Sequence, residues 1–300
     1  MPIRRSLALI LAAFGLMAAP PAGAVSVDYI ATYVWSENDP DFGGYSAVEI
    51  SEDGDQITAL SDRGTLRWGR IERDTAGRIR GVETLGQTRL RDSKGQPLKP
   101  GWQGDSEGLA IAPDGTLWVS FEGLNRIAGY ITPASPARRI PSPPAFADLI
   151  PNASLESLAM EPNGCLLTMP EDSGSRDTAF PIWRWCDDGE DGAWDQPWSI
   201  PRDGDWLVAG SDFGPDGRFY ILERRFLGIR GFSSRVRRFD FGPKGPGQPE
   251  TVLETRPLHY DNLEGISVWQ DDLGIRLTMI SDDNFLFIQR TEIVEYRIRD

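Results

Sequence analysis

The chain has 300 residues and a formal net charge of -14, a balance that argues against non-specific attraction to nucleic acid or anionic lipid and makes a cation the more natural partner. With 32 glycines, 23 prolines and 10 tryptophans it has the composition of a turn-rich β protein. One histidine and two cysteines leave little for a zinc centre, which prefers nitrogen and sulfur ligands.

Met1 to Ala24 has the anatomy of a signal peptide: Arg4 and Arg5, an apolar stretch from Leu7 to Ala19, the Pro20-Pro21 break, and Ala22-Gly23-Ala24 before Val25. The apolar stretch is short for a bilayer, and no later segment offers the roughly 20 apolar residues of a membrane helix. The expectation is cleavage after Ala24, followed by a single exported domain over 25–300, periplasmic or secreted, monomeric and without a membrane span. A retained signal anchor is the alternative, against which the cleavage site and the proline break both speak.

Past the leader the periodicity is that of short strands bounded by turns, and one phrase recurs. Its first and most diverged copy runs from Tyr45 to Val48, turns at Glu52-Asp53-Gly54 and ends at Leu60-Ser61-Asp62. The second reads Ser106-Glu107-Gly108-Leu109-Ala110, turns at Pro113-Asp114-Gly115 and ends at Phe121-Glu122. Leu155-Glu156-Ser157 leads through Pro162-Asn163-Gly164 to Pro170-Glu171, and Val208 to Asp212 leads through Pro215-Asp216-Gly217 to Leu222-Glu223. The last copy runs from Leu263-Glu264-Gly265 to Asp282-Asp283. Copies roughly 50 to 60 residues apart fit propeller blades of four strands, which must pack round a shared axis to bury both faces. The fold class is therefore an all-β propeller with five blades. A spare N-terminal strand, Val27 to Val34, would pair with Glu292 to Ile298 and close the ring. A sixth blade could hide in Arg78 to Leu98 or Thr132 to Ile150.

Strands joined by a tight turn are antiparallel, so the residue before the first and the residue after the second share an end. That puts Glu107 beside Glu122, Glu156 near Glu171, Asp212 near Glu223, and Glu264 near Asp282 and Asp283, with Asp62 at the matching end of the first copy. The acids are expected to converge on one channel mouth, where mutual repulsion raises their pKa values unless a cation or an arginine compensates. Arg63, Arg224 and Arg225 abut them in sequence. Ca²⁺ suits a pocket of Asp, Glu and Asn oxygens, with Glu107, Glu156, Glu264 and Asp283 as ligands and Asn284 close by. The alternative for each acid is a strand cap that binds backbone amides.

Cys165 and Cys186 fall across a hairpin, where a cross-strand disulfide and two free buried thiols both fit. His259, two residues before Asp261-Asn262, is either an acid-base group near the mouth or a polar loop residue. No Gly-x-Ser-x-Gly elbow, phosphate-cradling loop or dinucleotide fingerprint occurs.

The ordered phrases Leu60-Ser61-Asp62-Arg63-Gly64, Asp105-Ser106-Glu107-Gly108-Leu109-Ala110, Val119-Ser120-Phe121-Glu122-Gly123, Leu222-Glu223-Arg224-Arg225-Phe226, Asp261-Asn262-Leu263-Glu264-Gly265-Ile266 and Ile280-Ser281-Asp282-Asp283-Asn284-Phe285 resemble the phytase-like family, described as having esterase-like activity of phytase and common in exported bacterial proteins. The resemblance runs from about Gly43 to the C-terminus and implies hydrolysis of esters or phosphate esters, without established catalytic residues to carry over. The expected function is a metal-assisted hydrolase of small, anionic esters. Asp62, Arg63, Glu107, Glu122, Glu223, Arg224 and Asp283 are the catalytic candidates, and Arg63, Arg224, Arg225, His259 and Asn262 the substrate-binding ones. A propeller lactonase and a non-catalytic binding propeller of the cell envelope are the alternatives.

Overall fold

The computed structural model describes residues 25–187, 189 and 192–299; the leader expected over Met1 to Ala24 lies outside them. Five four-stranded antiparallel sheets stand round a channel. Blade 1 comprises Tyr45–Ile50, Gln56–Ser61, Thr65–Arg73 and Ile79–Arg89, and blade 2 Ser106–Ile111, Leu117–Phe121, Arg126–Tyr130 and Arg138–Arg139. Blade 3 comprises Leu155–Met160, Leu166–Pro170, Phe180–Cys186 and Ala193–Ile200, and blade 4 Leu207–Phe213, Phe219–Phe226, Phe232–Phe239 and Glu250–Glu254. Blade 5 takes three strands from the C-terminus, Asn262–Asp271, Gly274–Asp282 and Thr291–Arg299, and its outermost strand from the N-terminus, Ser26–Trp35. Ser26 pairs with Arg299 and Trp35 with Thr291, so the ring closes through the chain ends as the spare strand implied.

There is no sixth blade among the described residues. Ile79–Arg89 is the outer strand of blade 1, and Arg138–Arg139 with a short 3₁₀ turn at Pro144–Asp148 completes blade 2. The inner hairpins turn where the sequence places Gly at a left-handed position, with φ of 75° at Gly54, 86° at Gly115, 88° at Gly164 and 73° at Gly217.

Each core cluster belongs to two blades. Leu60 and Leu66 of blade 1 pack with Leu109, Val119 and Phe121 of blade 2, and Trp118 of blade 2 packs with Leu158, Leu166 and Trp185 of blade 3. The series continues through blades 3 and 4 and blades 4 and 5, and it returns from blade 5 to blade 1 through Trp35, Trp269, Ile280 and Ile293. Five clusters for five blade contacts leave no blade face uncovered, the condition that forces a closed ring. Fully buried Glu295 of blade 5 reinforces the closing contact by accepting from Arg73 of blade 1 at 2.8 Å and from Arg276 at 2.6 Å. Cys165 and Cys186 face each other beside the Leu166 and Trp185 pair and are joined by a disulfide, with 4.4 Å between their Cα atoms.

Candidate metal centre

Every inner strand carries one residue more than the strand it pairs with, and always near its start. The register slips between Tyr45 and Ala47, Ser106 and Leu109, Leu155 and Ser157, Val208 and Gly210, and Leu263 and Gly265. A bulge re-aims the side chain within it. Within these slips stand Ser46, Glu107 with Gly108, Glu156, Ala209 and Glu264, so blades 2, 3 and 5 each turn a glutamate towards the axis. The residue after the bulge lies against the next inner strand. A Cβ at Gly108 would stand 2.6 Å from Leu158 N, and one at Gly265 would stand 2.8 Å from Ala47 Cα. The repeated Glu-Gly pair thus combines an aimed carboxylate with a close approach of neighbouring blades.

Ligand oxygens of Glu107, Glu156 and Glu264 lie within 4.8 Å of one another, as do those of Asp105, Glu107 and Glu122 and those of Glu122, Glu156 and Glu171. Arg224 fills the gap left by Ala209 in blade 4. It donates to Glu171 at 2.8 Å, to Glu156 at 3.2 Å, to Asn262 Oδ1 at 3.3 Å and to Glu264. This guanidinium is the counter-charge that Glu156, Glu171 and Glu264 share; burial lowers its pKa, and the charges of Glu156, Glu171 and Glu107 outweigh that and raise it.

Among the described residues Asp105, Glu107 and Glu122 form no ion pair with an arginine, although the charge of Arg224 reaches Glu107 and Glu122. Glu122 is held by the Ser154 N–H at 2.9 Å. Glu107 is 8% exposed, and its carboxylate accepts no hydrogen bond from a described residue. Its oxygens are not sealed from the channel, so a cation or water can reach them there. Three carboxylates without nitrogen or sulfur ligands suit a hard cation of the Ca²⁺ type, so the donor set fits the metal expected from sequence. Burial and the neighbouring Glu156 and Glu122 hold the Glu107 carboxyl well above the usual range, and burial raises Asp105 and Glu122 as well.

The other sequence candidates divide by contact. Asn262 joins the cluster, donating to Glu264 at 2.5 Å. Asp62, pushed up to about 6 by burial, lies at the same mouth, and Asp105 and Asp283 add to its shift. Asp283 does not reach Glu264, as a shared cation pocket would require. Its oxygens instead accept from Gly44 N at 2.9 Å, Phe285 N at 3.0 Å and the Thr291 hydroxyl at 3.0 Å, pinning the closing seam. Asn284 follows it in a left-handed turn, with φ of 48°. Arg63 lies 3.2 Å from the Phe285 ring centroid, and Arg225 lies 4.4 Å from that of Trp206.

Glu223 is fully buried away from the mouth, held by Arg235 at 2.8 Å and Arg237 at 2.6 Å, because neighbours in a strand face opposite ways and Arg224 takes the channel side. His259 packs on Tyr260 and lines a separate cavity with Tyr29, Thr32, Glu292 and Tyr296. Asp212 is not beside Glu223. It pairs with Tyr220 near the turn, while Val208 is the residue opposite Glu223.

Asp212 and Glu49 mark the far end of the channel, where they line a cavity of about 870 Å³ with Thr58, Ser267 and Trp269. Burial pushes Asp212 up to about 7, and burial with the charge of Asp212 raises Glu49 well above its ordinary value. Asp282, at the acidic mouth, is likewise pushed up to about 7 by burial. Between about pH 4 and 7 the folded chain binds protons at these sites that the unfolded chain has released, so stability falls as pH rises through that window and levels off above it. The metal-free protein should therefore melt several degrees higher at pH 5 than at pH 8, and Asp212→Asn should narrow that gap. Melting curves by circular dichroism across pH 4.5–8.5 check this, and equal slopes for the two proteins would remove Asp212 from the account.

The phytase-like family, described as esterase-like activity of phytase, matches the chain over residues 40–285. Among solved structures, an α-L-arabinofuranosidase of Podospora anserina in complex with cellotriose is 12% identical with a TM-score of 0.54, over 92% of this chain and 97% of that one. A virginiamycin B lyase from Staphylococcus aureus is 12% identical with a TM-score of 0.42, over 85% and 82%. At such identity the arabinofuranosidase speaks for the fold alone. No curated protein matches by sequence.

Proposed function

The chain belongs to the phytase-like family described as esterase-like activity of phytase, and from that premise we propose that it is a metal-assisted hydrolase of small phosphate esters acting at the acidic mouth. The observation that carries the reading is the triad of Asp105, Glu107 and Glu122, whose carboxylate oxygens gather within 4.8 Å of one another with no arginine in ion-pair contact among the described residues. These three residues would hold a divalent cation, which when bound neutralises charge on an anionic ester and acidifies water. Arg63 has no ion pair among the described residues and can take a phosphoryl oxygen, whereas Arg225 shares the Glu223 side of its strand and packs on Trp206 with Arg235, away from the channel. Arg224 is a positioning residue that holds Glu156, Glu171 and Glu264, the acids that adjoin the triad. Asp62, titrating at about 6, can deliver a proton to the leaving oxygen.

Metal analysis of the purified chain, coupled to an ester panel with and without EDTA, tests the reading. The expected result is a retained divalent cation and hydrolysis of phosphate monoesters that EDTA removes and Ca²⁺ restores. Turnover that survives EDTA would overturn the metal's role. Silence across phosphate monoesters, diesters, carboxylic esters and lactones would make the mouth a ligand-binding site.

A further inference from the structure

Three loops at the acidic-mouth end of blades 4 and 5 expose large apolar side chains. Phe226, which ends the second strand of blade 4 and packs on Phe232, is 64% exposed, and Ile229 in the loop after it is 102% exposed. Leu258, 71% exposed, lies in the crossover to blade 5, and Phe287 and Ile288, at 100% and 72%, follow the second strand of blade 5. The loops adjoin. Leu258 N donates to Phe232 O at 3.1 Å, and the Leu258 side chain covers Gly231. Asp261, at the end of the crossover, accepts from Gln289 Nε2 at 2.7 Å and from Arg290 N at 2.9 Å. The tips form one apolar patch beside the mouth, larger in kind than the scattered apolar residues of an ordinary surface.

The charge within the patch points to its partner. In a chain of net charge -14, the exposed charged side chains set among these tips are Arg230, Arg256 and Arg290, and none has a carboxylate partner among the described residues. Most arginines of the fold are ion-paired, which makes three free ones beside apolar tips a local departure. Aliphatic and aromatic tips that bury in acyl chains, flanked by arginines whose guanidinium groups meet phosphates, are the pattern of an interfacial anchor. An acidic protein surface would meet the arginines but leave Phe287 and Ile229 in water.

We propose that the mouth face of blades 4 and 5 docks on the surface of a phospholipid bilayer, holding the channel mouth close to the lipid headgroups. No helix among the described residues is long and apolar enough to cross a membrane, so the contact is peripheral. The overall negative charge favours a zwitterionic surface over a strongly anionic one.

Flotation of the full chain with phosphatidylcholine–phosphatidylethanolamine vesicles tests the proposal, with an Ile229→Asp/Phe287→Asp variant and an Arg230→Glu/Arg290→Glu variant alongside. The wild type should float, and the aspartate variant should partition at least about tenfold less while melting at the wild-type temperature, since its side chains pack on nothing. The charge-reversed variant should bind more weakly than the wild type. A wild type that stays with the soluble fraction, or an aspartate variant that floats as well as it, overturns the proposal. So does self-association of the wild type, seen by sedimentation velocity and abolished in the aspartate variant, if vesicles are not bound; the patch would then be an interface between copies of this chain.

Discussion

Replacing Arg224 by methionine is expected to destabilise the metal-free protein by about 3–5 kcal/mol at pH 8, the cost of leaving buried charges without their partner. The guanidinium donates to Glu156, Glu171 and Glu264, which come from blades 3 and 5, and blade 4 contributes only Ala209 at the matching bulge. Without it the three carboxylates would face one another with no guanidinium between them. A loss of that size corresponds to a fall in Tm on the order of 10 °C for a chain of this length. At pH 5 the effect should shrink, because burial and the charges of Glu171 and Glu122 favour the protonated form of Glu156. Added Ca²⁺ should recover part of the loss at pH 8, since the variant exposes further carboxylate ligands. Thermal unfolding at the two pH values, with and without Ca²⁺, measures all three effects, and a Tm within about 2 °C of wild type at pH 8 would mean that the arginine does not hold the cluster.

Replacing Glu107 by glutamine should have the opposite signature. The amide keeps the shape of the side chain but removes the charge from the triad with Asp105 and Glu122, so cation affinity should fall by at least about 100-fold and ester turnover by about 10³-fold. The metal-free protein should be no less stable, and at neutral pH somewhat more so, because a carboxylate whose charge is disfavoured by burial and by Glu156 and Glu122 has been replaced by a neutral group. A residue kept only for structure would lose stability instead. Ca²⁺ titration calorimetry and melting curves on one preparation separate the two roles. Undiminished cation binding would remove Glu107 from the metal centre, whatever happened to activity.

The repeat was legible because its units are local. The turn glycines, the inner hairpins and the closing pair of terminal strands follow from short phrases and from the need to cover sheet edges. The acidic mouth was legible as a place, since strand direction alone brings the ends of the hairpins together. Its wiring was not. Whether Glu107, Glu156 and Glu264 aim at the axis depends on bulges, which appear only when two strands are set in register. Asp212 was misplaced for the same reason: it stands four residues beyond Val208, at about 3.4 Å per residue, and so belongs to the other end of the channel. One available signal was the alternation along Glu223-Arg224-Arg225, which sends Glu223 into the blade and Arg224 to the channel. Asp105 was within a quoted phrase, but a single residue before a strand gives no sign of its neighbours. Glu49 occupies in the first copy the position that Asp212 occupies in the fourth, each three residues past the bulge, an alignment that also needs the register, and the apolar tips sit in loops where periodicity carries no information.

The seam between Ser26–Trp35 and Thr291–Arg299 sets a timetable for folding. The first strand of the domain and the last are separated by nearly its whole length, yet each is the other's partner. A nascent chain can build blades 1 to 4 from contacts within each blade, but blade 5 waits for the final residues, and the N-terminal strand remains an unpaired edge until then. Ring closure is thus the slow, non-local step, and the interval before it is when a neighbouring chain could donate the same strand.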